Sequence, residues 1–309
     1  MNLIPISENR KYFLNYPKAI AKFELKFIKQ NHRKNYNSLF YYFLIIIVLI
    51  PLVFNLPIKT KDIEHNLGQL YSYQITIKIQ GKGEQRIINE EYGLCPDIVY
   101  LNNGGTNIVG SNCSLVNIPS SNEEINTLKL IWNTETTDLY RIFEEMENLL
   151  EVDMSNYDTS SVNDMHQMFY GCSSLTSINL SNLKTSLVTS MRLMFSNCSS
   201  LNELDVSSFD TSNVVDMHFM FSGLSKLTSL DVSNFNTQNV EHMEGLFENM
   251  ELLESLNITN FDTSNVVYMS SMFYNCKSLV SLDLSNFNTL KVKKMKTMFL
   301  GCEKLNTSN

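Results

Sequence analysis

A period of 26 residues governs what this chain can fold into. From Leu139 onward one apolar pattern keeps returning. The stretch that begins Met165-His-Gln-Met-Phe recurs at five later positions: Met191, Met217, Met243, Met269 and Met295. A fixed period of this length is typical of stacked repeats, in which no single repeat can bury its own apolar face. We therefore expect residues 139–309 to form a repeat stack whose last repeat is incomplete.

The spacing within one repeat predicts a strand followed by a helical return path. Leu175-x-x-Ile178-x-Leu180 follows the Leu-x-x-Leu-x-Leu pattern of leucine-rich repeats. The apolar residues of 188–195 are spaced three, three and one apart, which suits one face of an α- or 3₁₀-helix. The predicted fold class is an α/β solenoid, a leucine-rich-repeat-like right-handed coil stack with parallel strands. The repeat phenylalanines should line up as one internal column.

A second motif joins the strand to the return path. Phe209-Asp-Thr-Ser-Asn-Val recurs at Phe261, and Tyr157 begins a close variant. We expect the aromatic ring to fill an interior corner, and the Asp, Thr and Ser side chains to hydrogen-bond the turn that follows.

These motifs together resemble a known family. The pattern Met-Phe-x-x-Cys-x-x-Leu-x-x-Leu-Asp-Leu-Ser-x-Phe-Asp-Thr-Ser-x-Val over residues 139–309 is similar to the BspA-like leucine-rich repeat surface proteins and to the repeats of mycoplasma-type surface lipoproteins. The resemblance implies surface display and, in some members, binding to host or matrix proteins. It carries no catalytic residues. This chain departs from the lipoproteins in lacking a lipobox.

The N-terminal 58 residues differ in charge and hydropathy from the rest. Residues 1–38 hold eight basic and two acidic side chains, and the apolar stretch 39–58 holds none. Twenty helical residues reach about 30 Å, enough to cross a hydrocarbon core. We predict a cytosolic tail at 1–38, a transmembrane helix at 39–58 and a single-pass membrane protein with extracellular or lumenal repeats. A cleaved signal peptide and a buried soluble helix are the alternatives, and the basic tail either lies on lipid headgroups or is simply solvated.

Residues 59–138 should form a β-rich stalk that caps the first repeat. Alternating apolar residues over 73–79 predict a strand, and Gly81-Lys82-Gly83 offers a turn from which 85–89 could pair back as a hairpin. Further short strands are expected at 98–101, 115–118 and 127–132.

One polar position of the repeat is a candidate binding stripe. Its members are Asp153, Asn179, Asp205, Asp231, Asn257 and Asp283. On a concave solenoid face this stripe would suit a basic protein partner, whereas the plainer alternative is a strand face that is polar because water wets it.

Cysteine, asparagine and histidine residues give weaker signals. Cys95 and Cys113 are candidates for a disulfide. The repeat cysteines (Cys172, Cys198, Cys276 and Cys302) share their position with leucine and methionine, which favours a core role over disulfides between adjacent repeats. Sequons that either carry glycans or arise by chance occur at Asn112, Asn179, Asn197, Asn257 and Asn306. His166 and His218 lie two repeats apart, too far to share a metal.

The sequence predicts a recognition protein. No catalytic motif is present, so we expect no enzyme activity, no cofactor, no metal and no nucleic-acid partner. The leading hypothesis is adhesion or binding of a protein ligand such as a host, matrix or cell-surface protein. The alternative is a structural scaffold whose repeat stacks self-associate.

Overall fold

The structure, a computed structural model, describes residues 73–89, 95–102, 114–120 and 124–305. Contacts divide the chain into Met1–Asn66 and Leu67–Asn309, and the described residues all belong to the second unit. Nine strands are described: β1 Tyr73–Gln80, β2 Gly83–Arg86, β3 Ile98–Leu101, β4 Leu115–Ile118, β5 Ile125–Ile131, β6 Leu149–Tyr157, β7 Ser177–Asn179, β8 Ser229–Asp231 and β9 Ser255–Asn257.

A five-stranded sheet joins the β-rich region to the first repeats. Its order is β3-β5-β1-β6-β7, with antiparallel neighbours except for the parallel pair β6 and β7. Alternation places Ile75, Ile77 and Ile79 of β1 in the core with no exposed surface. β1 also pairs along β6, so the β-rich region is hydrogen-bonded to the first repeat.

The predicted hairpin between β1 and β2 is wrong. β2 pairs instead with β4, Gly83 opposite Ile118. Both edges of β1 are already taken by β5 and β6, so no edge remains for β2. Gly81, with φ of 120°, turns the chain away, and its amide donates to the Glu124 carbonyl at 2.8 Å.

Hydrogen bonds link equivalent positions of successive repeats. Parallel bridges join residues 26 apart: Asp138 to Asp164, Asp164 to Ser190, Ser190 to Asp216, Asp216 to His242, His242 to Tyr268 and Tyr268 to Lys294. Alternate amides then donate to the next repeat, as Phe169 does to the Met194 carbonyl at 2.9 Å. The amides between them close tight turns, as Tyr170 does to the Gln167 carbonyl at 3.1 Å.

The predicted α/β solenoid is therefore wrong. No helix occurs among residues 73–89, 95–102, 114–120 and 124–305, and the parallel strands β7, β8 and β9 are three residues long. β7 belongs to the five-stranded sheet and β8 pairs with β9 in a separate two-stranded sheet, so the three do not form one continuous parallel stack. The helix fails because Gln167 (φ 56°) and Gly171 (φ 73°) are left-handed, and L-residues cannot carry a right-handed helix through such positions. The three, three and one spacing comes from consecutive turns instead.

The membrane prediction also fails against the structure. Among the described residues no helix combines the length and apolar character needed to cross a bilayer, which contradicts the predicted single-pass topology and localisation. The predicted tail at 1–38 and helix at 39–58 lie outside the described residues.

A column of stacked phenylalanine rings runs through the repeats. Phe195 and Phe221 lie 6.1 Å apart between ring centroids and 1° from parallel. The column comprises Phe143, Phe169, Phe195, Phe221, Phe247, Phe273 and Phe299, with neighbouring centroids 5.5 to 6.1 Å apart. The predicted internal alignment of the rings is confirmed, and the six rings from Phe143 to Phe273 have no exposed surface.

Ser271→Gly should stabilise the protein. Ser271 has φ of 57° at the repeat position that Gly245 occupies one repeat earlier. Removing the side chain relieves left-handed strain, and the free energy of unfolding should rise by about 0.5–1 kcal/mol in denaturant titrations. Ser270→Gly is the matched control. Because Ser270 lacks a positive φ, this variant should lower the free energy of unfolding by about 0.5–1 kcal/mol through chain entropy. Equal losses of unfolding free energy in the two variants would contradict backbone strain at Ser271.

Candidate recognition surface

The predicted binding residues share one repeat position, and three of them are the last residues of the short strands β7, β8 and β9. We call Asp153, Asn179, Asp205, Asp231, Asn257 and Asp283 the strand-end stripe. Asp153 lies directly opposite Asn179, and Asp231 lies opposite Asn257. The Asn179 amide donates to Asp153 Oδ1 at 3.0 Å. All members are exposed except Asp153, which is half-buried.

Each stripe side chain closes a local turn. At Asn179, Asp231 and Asn257 this turn follows the end of a strand, whereas Asp153 lies within β6 and Asp205 and Asp283 lie in none of the described strands. In each case the side-chain Oδ1 accepts the backbone N–H two residues later, as Asp231 does from Ser233 at 2.9 Å. The other five bonds run to Ser155, Ser181, Ser207, Thr259 and Ser285, at 2.9 to 3.2 Å. This local bond turns the backbone out of the strand, which explains why β7, β8 and β9 are short. Asp and Asn both serve this purpose, so the turn does not require the charge.

The same hydrogen bonds hold the aspartates ionised. Bonds from the Ser207 hydroxyl and amide lower the pKa of Asp205, although the neighbouring Asp231 opposes this slightly. The Ser233 hydroxyl and amide lower the pKa of Asp231, and the Ser285 amide and hydroxyl lower the pKa of Asp283. The stripe therefore presents exposed negative charges throughout the neutral range.

Side chains beside the stripe vary in type. Glu203, Thr228, Ser229 and Glu254 are exposed. Val280 is 53 % exposed, and its amide donates to the Glu254 carbonyl in the preceding repeat at 3.3 Å. The surface thus combines a fixed acidic and amide stripe with flanking positions that differ from repeat to repeat.

A second row of aspartates and asparagines forms the same kind of turn elsewhere. Asp210 Oδ1 accepts the Ser212 amide at 3.0 Å, and Asp262 Oδ1 accepts the Ser264 amide at 2.9 Å. We call Asp158, Asp210, Asn236, Asp262 and Asn288 the corner row. The prediction that the Asp of the Phe-Asp-Thr-Ser-x-Val motif caps a turn is confirmed.

The threonine after the corner row links repeats. Thr211 is 1 % exposed; its hydroxyl donates to the Asn236 carbonyl at 3.0 Å and accepts the Asn236 amide at 2.8 Å. Thr159, Thr185, Thr237 and Thr263 are likewise buried and also donate to a carbonyl of the next repeat. Sequence reasoning assigned this residue only a local turn.

The repeat cysteines are free thiols, so disulfides between adjacent repeats are excluded. Each thiol donates to a phenylalanine carbonyl of the preceding repeat, as Cys198 does to Phe169 at 3.0 Å. Burial raises the pKa of Cys172 and of Cys276 to about 12. Cys95 is disulfide-bonded, and Cys113, its predicted partner, lies outside the described residues.

Native thiol labelling should separate the cysteines by burial. Cys302 is half-buried, whereas Cys172, Cys198 and Cys276 have no exposed surface. Because the exposed thiolate is the reactive species, we expect iodoacetamide at pH 8 to modify Cys302 at least about 100-fold faster than the other three. Peptide mass spectrometry reads out each site, and guanidinium should make all four react. Equal native rates at Cys198 and Cys302 would contradict the buried column.

Two histidines at different repeat positions, His218 and His242, come together in the structure. His218 and His242 belong to adjacent repeats and lie 6.2 Å apart between ring centroids. The bridge between Asp216 and His242 brings their repeats into register, and His218 Nδ1 lies 2.6 Å from Asp216 Oδ1. Comparing only His166 with His218, which share a repeat position, misses this diagonal pair.

The remaining candidate positions carry less information. The sequon residues Asn179, Asn197 and Asn257 are exposed, whereas Asn112 and Asn306 lie outside the described residues. A cleft between Arg86 and Arg141 has a polar lining, in which Arg141 Nε lies 3.3 Å from Glu144 Oε1 and Asn89 donates to Glu144 Oε2 at 3.1 Å. The absence of enzyme activity stays a prediction.

Comparison with known proteins places the repeats in a family. The family model described as "Mycoplasma protein of unknown function, DUF285" matches residues 137–230 and 224–309. No curated protein is detectably similar. Among solved structures, the crystal structure of the T. pallidum Leucine Rich Repeat protein (TpLRR) has 21 % identity and a TM-score of 0.38 over 57 % of this chain and 74 % of that one.

Proposed function

We propose that this chain, which belongs to the Mycoplasma family of unknown function DUF285, is a repeat protein that binds basic protein partners. The strand-end stripe is the proposed contact surface. The observation that supports this most is the exposed carboxylate of Asp205, Asp231 and Asp283, each fixed by a backbone hydrogen bond.

The stripe contains both aspartates and asparagines at one repeat position. Asn179 and Asn257 form the same turn, with bonds of 3.2 Å against 2.9 Å for the aspartates, so the turn itself does not require a carboxylate. Fixed charges favour binding because little side-chain freedom is lost when a partner's Lys or Arg docks. The flanking residues that differ between repeats would then supply specificity.

Charge removal without loss of the turn tests this proposal. The triple variant Asp205→Asn, Asp231→Asn, Asp283→Asn keeps all three turn acceptors. Using the full chain and a lysine-rich basic peptide as the probe, we expect the Kd at physiological salt to rise about 10- to 100-fold, as three exposed ion pairs at 0.5–1 kcal/mol each imply.

The corner row supplies a matched control. Asp158→Asn, Asp210→Asn, Asp262→Asn removes the same charge from the same kind of turn on another row. This control should leave the Kd within about twofold if the stripe is the contact, since a diffuse field would respond to both. An equal loss in the two triple variants, or no loss in either, rejects the stripe as the binding surface.

The proposal has two finer parts, one on the relatives of this chain and one on its protein partner. The identification with BspA-like repeat proteins is one part, and a host, matrix or cell-surface protein as the ligand in adhesion is another. The second part depends on the stripe acting as a recognition surface and on no catalytic group.

Self-association is the second candidate function. The observation that favours it is the exposure of two leucines, Leu290 at 91 % and Leu300 at 59 %. Paired apolar faces of two copies would exclude water there. Sedimentation of the full chain should show a dimer that Leu290→Lys, Leu300→Lys dissociates and the control Leu187→Lys, Val215→Lys does not. A monomer, or a dimer indifferent to both pairs, rejects this candidate.

A further inference from the structure

His218, His242 and Glu244 form a compact cluster across two adjacent repeats. One ligand atom from each residue lies within 4.8 Å of the other two. The side chains are 19 %, 36 % and 25 % exposed, so an ion can reach them from solvent. The parallel bridges between residues 26 apart, which we call the repeat ladder, fix the backbone on both sides of the cluster. The cluster is therefore not held by a loop.

The orientation of His218 suits a metal ligand. Asp216 Oδ1 lies 2.6 Å from His218 Nδ1 and also accepts the His218 amide at 3.0 Å. With Nδ1 as the donor to this carboxylate, Nε2 is the unprotonated nitrogen. A carboxylate that orients and polarises a histidine in this way is the usual outer-shell partner of a metal-bound imidazole.

Glu244 supplies an independent observation. Its Oε2 is shielded from solvent and has no hydrogen-bond partner among the described residues. The His242 Nδ1 atom lies 3.6 Å away, beyond a good hydrogen bond. A shielded carboxylate oxygen without a partner is unfavourable, and a cation between Glu244 and the two histidines would satisfy it.

We propose that His218, His242 and Glu244 bind a divalent transition metal ion of the zinc type. Two imidazoles and one carboxylate, with a fourth position open to water, are a common tetrahedral zinc set. Small side-chain rotations would bring the three atoms to the spacing of about 3.4 Å that metal–ligand bonds near 2.1 Å require. The bound ion would tie two adjacent repeats together. This inference is independent of the strand-end stripe.

Cobalt provides the direct test, since tetrahedral Co²⁺ absorbs visibly. Titration of the full chain with Co²⁺ should produce d–d bands that saturate at one ion per chain and disappear when Zn²⁺ is added. His218→Ala, His242→Ala and Glu244→Gln should each weaken Co²⁺ binding at least about 100-fold. Asp216→Asn, which keeps an acceptor for the His218 amide, should weaken it about 10- to 100-fold.

His166 is the matched control. It has the same carboxylate partner, with Nδ1 2.6 Å from Asp164 Oδ1, but is not part of the three-residue cluster. His166→Ala should bind Co²⁺ as the parent chain does. Circular dichroism of each variant establishes that folding is retained. The proposal is overturned if tetrahedral bands are missing, or if a folded His218→Ala, His242→Ala double variant keeps them.

Discussion

Phe247→Asp is expected to lower the free energy of unfolding by at least about 5 kcal/mol, which is comparable to the whole stability of many domains. Phe247 has no exposed surface and stacks between Phe221 and Phe273 at 5.9 and 5.6 Å. Deleting a buried aromatic ring costs about 3–5 kcal/mol by itself. The carboxylate adds a further cost, because it would lie without a partner in the core. Urea titration followed by circular dichroism measures the loss.

Phe299→Asp makes the same chemical change at the same repeat position. Phe299 is 37 % exposed and stacks on one ring, Phe273. Its carboxylate can reach water, so we expect a loss of at most about 2 kcal/mol, within the range of ordinary substitutions. Similar losses at Phe247 and Phe299 would show that the ring column does not carry the stability.

Thr211→Val is expected to destabilise the protein by about 2–4 kcal/mol, although valine has nearly the shape of threonine. The hydroxyl makes two bonds to Asn236 of the next repeat, and its loss leaves the Asn236 amide and carbonyl unsatisfied. These bonds are part-buried, with Thr211 itself 1 % exposed, and a buried group left without a partner costs about 1–3 kcal/mol. The midpoint of urea unfolding should fall accordingly.

Thr176→Val provides the matched comparison for this effect. The Thr176 hydroxyl also bonds a carbonyl of another repeat, Leu150 at 3.0 Å, but the residue is exposed. Water can replace that bond, so the expected loss is below about 0.5 kcal/mol. A loss at Thr176 as large as that at Thr211 would show that burial of the bond is not what matters.

The period, the ring column and the corner turns could be predicted because each follows from residues at fixed offsets. Phe209, Asp210 and Thr211 recur as a unit, and the turn chemistry of Asp is local. The strands β1, β3, β4 and β5 were also predictable from alternation and flanking turns.

The helical return path could not be excluded from apolar spacing, because consecutive turns place Met191, Met194 and Phe195 inward equally well. The sequence did contain a signal against the helix. The repeat position that is left-handed in the structure reads Glu145, Gly171, Asn197, Gly223, Asn249, Asn275 and Gly301. Glycine and asparagine are the residues that most readily adopt this conformation. The second left-handed position offered no such signal, since Leu193 and Phe219 occupy it.

Pairings between distant segments were beyond the sequence. β2 and β4 pair because β5 and β6 already occupy both edges of β1, and a local hairpin signal does not carry that competition. The His218 and His242 pair likewise depends on the register between neighbouring repeats. Equivalent positions of a repeat are easy to compare in sequence, whereas diagonal neighbours need the register of the ladder.

The most direct test of the repeat ladder is the hydrogen-bond acceptor of the Phe195 amide. Scalar coupling across hydrogen bonds, measured by NMR on deuterated full-length protein, identifies that acceptor. The structure predicts coupling from the Phe195 nitrogen to the Met220 carbonyl carbon in the next repeat, 3.0 Å from nitrogen to oxygen. Coupling to the carbonyl of Met191, four residues earlier, would instead demonstrate a helix and contradict the ladder.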